Sequence, residues 1–391
     1  MLIKIILLLT IISWIYWVIA FFLVRAFFRG SDYNLTFTPP VSILKAVKGL
    51  DDQAYENFAS FCHQDYPEYE ILFGVADPYD PVIPVIRQLQ QDFADLRIRL
   101  IISEATQPNR KASLLHALAN CARYDYLIAS DSDMRVTPDY LRRVVAPLAD
   151  EAVGLVTCTY RGKEPVTLTA RLEALYMGVT FLPSVLAARQ VLKMRFALGA
   201  TEALRRPDLE RIGGFSAVAD YLADDYQVGA RIAKAGLRVQ LSDYIVTSII
   251  GATTFVDQWH REVRWAHCTR ISRPLEYPGL ALSFSTPLAV TLLLLTWFQT
   301  WAWGVLLFSL ILRWLIAGMI TNITNDQVSR QWLVWLPVRD MLSVLIWLNG
   351  LIGNKVTWRG EEFILDEDGR LVPVSSLETQ QKWNWRRWLG D

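Results

Sequence analysis

The chain has 391 residues, 52% of them hydrophobic and 20% charged, with 39 lysines and arginines against 39 aspartates and glutamates. That balance leaves no electrostatic footprint for a nucleic-acid partner, and the apolar share exceeds that of an ordinary soluble domain. Cys62, Cys121, Cys158 and Cys268 lack metal-site spacing and read as free, buried, small apolar residues of a cytosolic domain.

Residues 5–24 (IILLLTIISWIYWVIAFFLV) form an uninterrupted apolar run. About 20 residues suffice to cross a hydrocarbon core of ~30 Å as a helix. A cleaved signal peptide normally has an apolar core of only about 7–15 residues ending in small side chains. This run ends in Phe-Phe-Leu-Val-Arg-Ala-Phe-Phe-Arg, so residues 1–30 are expected to be an uncleaved anchor. Arg25 and Arg29 follow the run and only Lys4 precedes it, which places the next segment in the cytosol.

Residues 36–275 are long enough for one core. Their first half alternates strands and helices: strand Val41–Val47, helix Ala54–Gln64, strand Glu70–Val75, helix Ile83–Asp95, strand Arg97–Ile102, helix Lys111–Arg123 and strand Tyr126–Ala129. That order predicts an α/β fold, a mostly parallel sheet with helices on both faces. Ligands of such sheets bind beyond the carboxyl ends of the strands. There the sequence offers Lys45 to Asp51, including Lys48, then Asp77, then Asn109-Arg110-Lys111, and finally Asp131-Ser132-Asp133.

The last of these is the most informative. Hard divalent cations take oxygen ligands, and Mg2+ or Mn2+ is commonly held by one or two carboxylates with phosphate oxygens completing the sphere. Asp131 and Asp133 are therefore candidate metal ligands, and a nucleoside diphosphate is the first ligand to consider. Taken singly, each element has a plainer role: Asp77 before Pro78 as turn chemistry, Asn109 as a helix cap, Lys111 as a solvated side chain. Their shared edge is what favours a site.

The second half is harder to parse. Leu168–Val191 reads as a long apolar helix with a kink at Pro183 and a face that touches lipid. Phe196 to Thr201 reads as a strand and turn, Gly213-Gly214-Phe215 as a flexible loop, and Tyr221 to Tyr226 as the start of a helix ending near Ala235-Gly236. Asp224 and Asp225 in a first helical turn suit the dipole, and a carboxylate beside an acceptor hydroxyl also suits a general base. In Gln258 to Trp265, Arg261 and Arg264 lie three apart on a predicted helix. The pair suits a departing diphosphate, with Trp265 as a flat platform; a basic, aromatic belt ahead of a membrane span is the alternative.

Residues 281–320 suffice for two membrane helices joined near Thr300 to Trp303. In 332–352 Arg339 and Asp340 are expected to cut the apolar run into short halves, as in a re-entrant or interfacial segment that lets both charges reach water or each other. The tail, 353–391, carries Lys355, Arg359, Arg370, Lys382, Arg386 and Arg387 and is expected on the cytosolic side.

Taken in order, Asp77, Asp131-Ser132-Asp133, Asp225 after the Gly213-Gly214 loop, and Arg261-x-x-Arg264-Trp265 resemble the motifs of processive-type GT-A glycosyltransferases. The opening Lys45 to Asp51, Asp65 to Glu70, Asp80-Pro81 and Asp131 to Val136, with arginine first in the last motif, resemble the ceramide glucosyltransferase family, glycosyltransferase family 21. The length and Trp358-Arg359-Gly360 look most like the bacterial hopanoid-associated members.

The resemblance implies a GT-A nucleotide-diphospho-sugar transferase fold between membrane helices, in a multi-pass protein of a bacterial inner membrane with its catalytic domain facing the cytoplasm. It implies that Asp77 contacts the uridine of a UDP-sugar donor and that Asp131 with Asp133 binds the diphosphate through Mg2+ or Mn2+. Their strand-end position adds Lys48 and Lys111 to the expected donor site, and the resemblance implies that Asp225 is the base and that Arg261, Arg264 and Trp265 hold the pyrophosphate and acceptor region. Inverting transfer of glucose or N-acetylglucosamine to a membrane lipid, a hopanoid polyol such as bacteriohopanetetrol or a ceramide, follows from the same likeness. Animal ceramide enzymes commonly carry Asp-Ser-Gly at this point, so the likeness supports Asp131 more firmly than Asp133. Two other readings are a processive polysaccharide synthase, which needs more membrane spans, and a non-catalytic UDP-binding scaffold.

Overall fold

The computed structural model describes residues 1–30, 34–358 and 360–374. Arg359 of the tail motif and the tail cations Lys382, Arg386 and Arg387 lie outside the described residues.

After helix α1 (Leu2–Phe27) come β1 (Val41–Ala46), α2 (Ala54–Cys62), β2 (Tyr69–Val75), α3 (Ile83–Asp92), β3 (Arg97–Ile102), α4 (Arg110–Cys121) and β4 (Tyr126–Ala129). These follow the expected order, with helix ends two or three residues short. There follow β5 (Met134–Arg135), α5 (Tyr140–Val145), β6 (Val153–Pro165), α6 (Leu168–Tyr176) and α7 (Leu182–Leu192), then β7 (Glu202–Arg205), α8 (Arg206–Arg211), α9 (Asp224–Lys234), β8 (Arg238–Gly251) and α10 (Phe255–Ser272). The C-terminal part holds α11 (Ser285–Leu295), α12 (Thr300–Ile323), α13 (Gln327–Gln331), α14 (Leu336–Gly350) and strands β9 (Lys355–Trp358), β10 (Glu361–Leu365) and β11 (Leu371–Pro373).

The main sheet has the order β3-β2-β1-β4-β7-β6-β8-β5. It is mixed: β1 runs parallel to β2 and β4, β2 to β3 and β6 to β8, whereas β7 is antiparallel to both β4 and β6, and β5 to β8. Side chains alternate across a strand. Ile43, Ile71 and Ile128 therefore face a core with Phe58, Ile86 and Leu141 of α2, α3 and α5, while Leu44, Leu72 and Leu127 face Leu118, Leu209 and Ile232 of α4, α8 and α9. Each such side chain, fully buried, contributes roughly 1.5–3 kcal/mol. These two layers fix the strand ends that carry the polar residues.

The apolar helices differ from the reading above in three places. Between α6 and α7 lies a π turn, Met177–Phe181. Pro183 has no N–H for the carbonyl of Val179, four residues back; Arg313 Nη1 donates to that oxygen at 3.2 Å instead. The hairpin turn is Thr296 to Gln299, earlier than expected, with Trp297 and Phe298 both at positive φ. Its first arm, α11, has 11 residues and meets the turn Tyr277–Ser283 at a bend of 76°. Finally, Arg339 and Asp340 do not cut the third segment. They lie inside the continuous α14, buried, with Arg339 against Glu262 and Asp340 against Arg313 at 3.4 Å and Thr286 at 3.0 Å. Protein charges elsewhere in the chain replace the water they were expected to reach.

Four helices of the described residues are long and apolar enough to cross a membrane: Leu2–Phe27, Leu168–Leu192, Thr300–Ile323 and Leu333–Gly350. Trp17, Ala20 and Val24 of α1 pack on Val185 and Leu186 of α7 and on Ile316 and Ile320 of α12. The start of the tail is folded: β9, β10 and β11 form an antiparallel sheet whose Val356, Phe363 and Leu365 cover Leu222 and Ile271.

Candidate functional site

Three side chains converge at the carboxyl end of β4. Lys111, in the first turn of α4 after the cap that Asn109 provides through its bond from Ala112 N at 2.9 Å, places Nζ 2.6 Å from Asp131 Oδ1 and 3.8 Å from Asp224 Oδ2. Asp225 accepts from Gly199 N at 2.8 Å and from its own neighbour Tyr226 N at 2.7 Å. Gly199 shows how tightly they meet: a Cβ there would lie 3.1 Å from Lys111 Nζ, 3.2 Å from Asp131 Oδ2 and 3.4 Å from Asp225 Oδ2. A larger residue would intrude on all three.

Asp225 opens α9 because the loop before it is fixed. Gly213 and Gly214 take positive φ and bond to Glu210 and Leu209 carbonyls, which ends α8, and Phe215 is buried, so this segment is a helix stop rather than a flexible loop. The segment 196–201 forms no strand beyond a single Leu198–Thr201 bridge; the strand is β7, which begins at Glu202.

The electrostatics are one-sided. Burial, the neighbouring Asp224 and Asp131 push the Asp225 carboxyl up to about 6, against Lys111, which pulls it down. Asp133 accepts from Ser248 Oγ at 2.9 Å, and burial with the charges of Asp131 and Asp51 pushes its carboxyl up to about 6 as well. Burial alone would lower the Lys111 pKa, but Asp131, Asp224, Glu202 and Asp225 outweigh it and hold the ammonium charged.

One member was missed in the sequence, and a second was offered only as part of the Lys45 to Asp51 segment. Glu202, in register with Ala129, is fully buried, and its Oε2 has no hydrogen-bond partner among the described residues; burial raises its pKa well above its ordinary value, with Lys111 opposing. Lys45 is also fully buried, donating to the Asp131 carbonyl at 2.8 Å and lying 3.6 Å from the Phe61 ring centre, and burial lowers its pKa to about 7. Lys45 ties the end of β1 to the Asp131 backbone. Its place in the quoted opening segment was a signal; an acid in the short run Glu-Ala-Leu-Arg gave none.

The other candidates sit further along the rim. Asp77 is exposed and accepts from Tyr79 N at 2.8 Å in its own turn, while Asp80 accepts from Gly49 N at 3.0 Å and so pins the loop of the exposed Lys48 beside that turn. Arg261 is turned onto the buried Glu173 at 2.8 Å and Thr253 at 3.2 Å. Arg264 lies 5.7 Å from the Trp358 ring centre, and Trp265 is half-buried. One turn on from Arg264, the Cys268 thiol is pushed up to about 12 by burial, is pulled down by Arg264 and feels both Asp225 and Asp224, so α10 flanks the acidic cluster.

Among the described residues no group of three or more His, Cys, Asp or Glu side chains is poised around a cation. The donor set still fits Mg2+ or Mn2+ shared with a substrate, since one or two carboxylates with phosphate oxygens are the usual complement. Asp131 Oδ2 faces the common point near Gly199, while Lys111 occupies Oδ1.

The mixed sheet with helices on both faces is of the GT-A type, and the comparisons with known proteins make the chain a glycosyltransferase. The family model described as glycosyl transferase family 21 matches residues 5–371, and the chain belongs to that family. Ceramide glucosyltransferase 3 of Caenorhabditis elegans is 25% identical over 353 residues, covering 86% of this chain and 74% of the relative. Ceramide glucosyltransferase 1 of the same organism is 23% identical over 352 residues, covering 85% and 73%. A mannosyltransferase from Pyrobaculum calidifontis, solved with GDP-Man and Mn2+, shares the fold with a TM-score of 0.53 at 19% identity, over 89% of this chain and 99% of that one.

Proposed function

We propose that this enzyme is a membrane-bound inverting glycosyltransferase that moves glucose or N-acetylglucosamine from a UDP-sugar to the hydroxyl of a membrane lipid, a hopanoid polyol or a ceramide. The observation that carries the reading is the meeting of Lys111, Asp131 and Asp225 at Gly199, on a sheet edge whose chain continues on both sides into helices able to cross a membrane. The kinship with ceramide glucosyltransferases supports the lipid acceptor.

In this reading Asp225 takes the proton of the lipid hydroxyl as its oxygen forms a bond to the anomeric carbon. The bond from that carbon to the diphosphate breaks on the opposite face, UDP leaves with the electron pair, and an α-linked donor gives a β-glycoside. Asp131 and Asp133 would hold Mg2+ or Mn2+, which when bound neutralises charge on the departing diphosphate. Lys111 adds a fixed cation at the same place, and Lys48 with Asp77 forms the outer, uridine end of the donor groove. Arg261, Arg264 and Trp265 line the pyrophosphate and acceptor side. The catalytic domain and the tail sheet face the cytoplasm of a bacterial inner membrane, where a water-soluble donor meets a lipid head group.

Incubating membranes that contain the protein with radiolabelled UDP-glucose or UDP-GlcNAc and added ceramide or bacteriohopanetetrol tests the reading. A lipid carrying one sugar is expected on chromatography. Label found only in a polymer would favour a polysaccharide synthase, and UDP binding without any transfer would favour a scaffold.

A further inference from the structure

The Arg261 to Trp265 segment contains an acid that no role above uses. Glu262 is buried, accepting from Gln258 Nε2 at 2.6 Å and paired with Arg339 of α14. Its neighbour Arg261 pairs with Glu173 of α6, buried to 1% exposure, at 2.8 Å. The two pairs are linked, because the Arg339 guanidinium lies 4.3 Å from the ring centre of Tyr176, three residues and almost one turn after Glu173. Successive residues of α10 are thus clamped in opposite charge sense by two different helices. Both of those helices belong to segments able to cross a membrane.

A cluster kept only for stability should satisfy its polar atoms, since a buried ion pair stabilises little unless its remaining donors and acceptors are met. This one does not. Arg339 Nε and Nη1, Arg261 Nε and Gln258 Oε1 are all buried without a partner among the described residues. Apolar side chains of similar size would hold the three helices together at least as well. What the charges add is register: they fix the rotation of α10, and with it the direction in which Arg264 and Trp265 point.

We propose that Glu173 and Arg339 are positioning residues that aim the Arg261 to Trp265 segment at the donor by clamping Arg261 and Glu262 to the membrane helices. The proposal rests on the reading of that segment as the donor-binding side of a glycosyltransferase. Activity then depends on how α6 and α14 pack, although neither helix carries Lys111, Asp131 or Asp225.

The test uses the full chain purified in detergent. In Glu262→Gln/Arg339→Met both charges go together, so neither is left buried alone. The expected result is an unchanged thermal midpoint, faster hydrogen exchange of the amides in 255–272, and a kcat for transfer lower by about 100-fold, the order reached when a reacting group is misplaced by an ångström. An unchanged midpoint with unchanged exchange and unchanged kcat would show that the cluster sets neither the position of α10 nor activity and overturn the proposal. If the double variant does not fold, Glu173→Gln decides: it keeps an acceptor for Arg261, and faster exchange in 255–272 supports the clamp while unchanged exchange and kcat overturn it. The exchange measurement needs no sugar or lipid. A wild-type protein that transfers nothing, but whose variants lose protection in 255–272, therefore refutes the catalytic reading and not the clamp.

Discussion

Two clusters of charge border α10, and they are built on opposite terms. On the membrane side each charge has its counterpart: Arg261 with Glu173, Arg339 with Glu262, Arg313 with Asp340. At the rim Lys111 stands among Asp131, Asp224, Asp225 and Glu202, whose charges all act on it, and with Lys45 bonded to the Asp131 carbonyl the acids still outnumber the cations. A balanced cluster holds helices in place. An unbalanced one is costly when empty and gains most from a cation, which is the character of a binding site rather than of a brace.

The sharpest test of this contrast is at the rim. Asp225→Asn keeps the size of the side chain and removes the proposed base, so transfer should fall by about 10²–10⁴-fold, the span typical of general base catalysis, with UDP affinity within a few-fold of wild type. Radiolabel transfer and UDP calorimetry on the same preparation check both halves. Undiminished transfer would remove Asp225 as the base.

Asp131→Ala addresses the missing positive charge. If the rim is completed by a divalent cation, UDP should bind more weakly in EDTA than in Mn2+ for the wild type, by about tenfold or more for a single lost charge-assisted contact of roughly 1.5–3 kcal/mol. The variant should bind UDP weakly in both. Equal UDP binding by Asp131→Ala with Mn2+ and with chelator, at wild-type affinity, would leave the clamp without support.

On the balanced side single and paired changes should differ in sign. Asp340→Leu leaves Arg313 buried and unmatched beside Trp17, 3.7 Å from its ring centre, and removal of one partner from a buried pair costs about 3–5 kcal/mol. Arg313→Leu/Asp340→Leu removes both charges and should recover most of the loss, visible as the thermal midpoint in detergent. A double variant as unstable as the single one would mean that the pairing is not what stabilises these helices.

The same contrast explains what the sequence revealed. Strands β1 to β4 and their helices were legible because each is a short apolar run closed by polar turn residues, and parallel order follows from the alternation. The polar residues at their ends were placed for the same reason: Asp131 and Asp133 come directly after an apolar run, and Lys111 opens the helix that follows β3. Glu202 was not, because its strand is a strand only through pairing with β4 and β6 on either side, and Glu-Ala-Leu-Arg has the composition of a helix. Arg339 and Asp340 misled for a related reason. Their partners lie 77 and 27 positions away, at Glu262 and Arg313, and no local pattern announces a counter-charge at that distance.

The smallest effect is the most direct measure of the imbalance. An ordinary aspartate near pH 4 would leave transfer flat across the neutral range, whereas a base raised to about 6 loses its active, ionised form as pH falls through 6, with kcat/KM dropping toward tenfold per unit below that point. The neighbours set the direction of further shifts. Asp224→Asn removes a charge that raises Asp225 and should move the midpoint down, and Lys111→Met removes the cation that lowers it and should move the midpoint up. Asp133, also raised to about 6, would contribute a second loss on the acid side through weaker metal binding, since protons and a cation compete for the same carboxylate. Saturating Mn2+ reverses that contribution but not the one from Asp225, so a residual midpoint near 6 at high Mn2+ belongs to the base. A midpoint that falls to 4 under those conditions, or that ignores both Asp224→Asn and Lys111→Met, would show that the crowding of carboxylates at the rim does not govern its proton affinity.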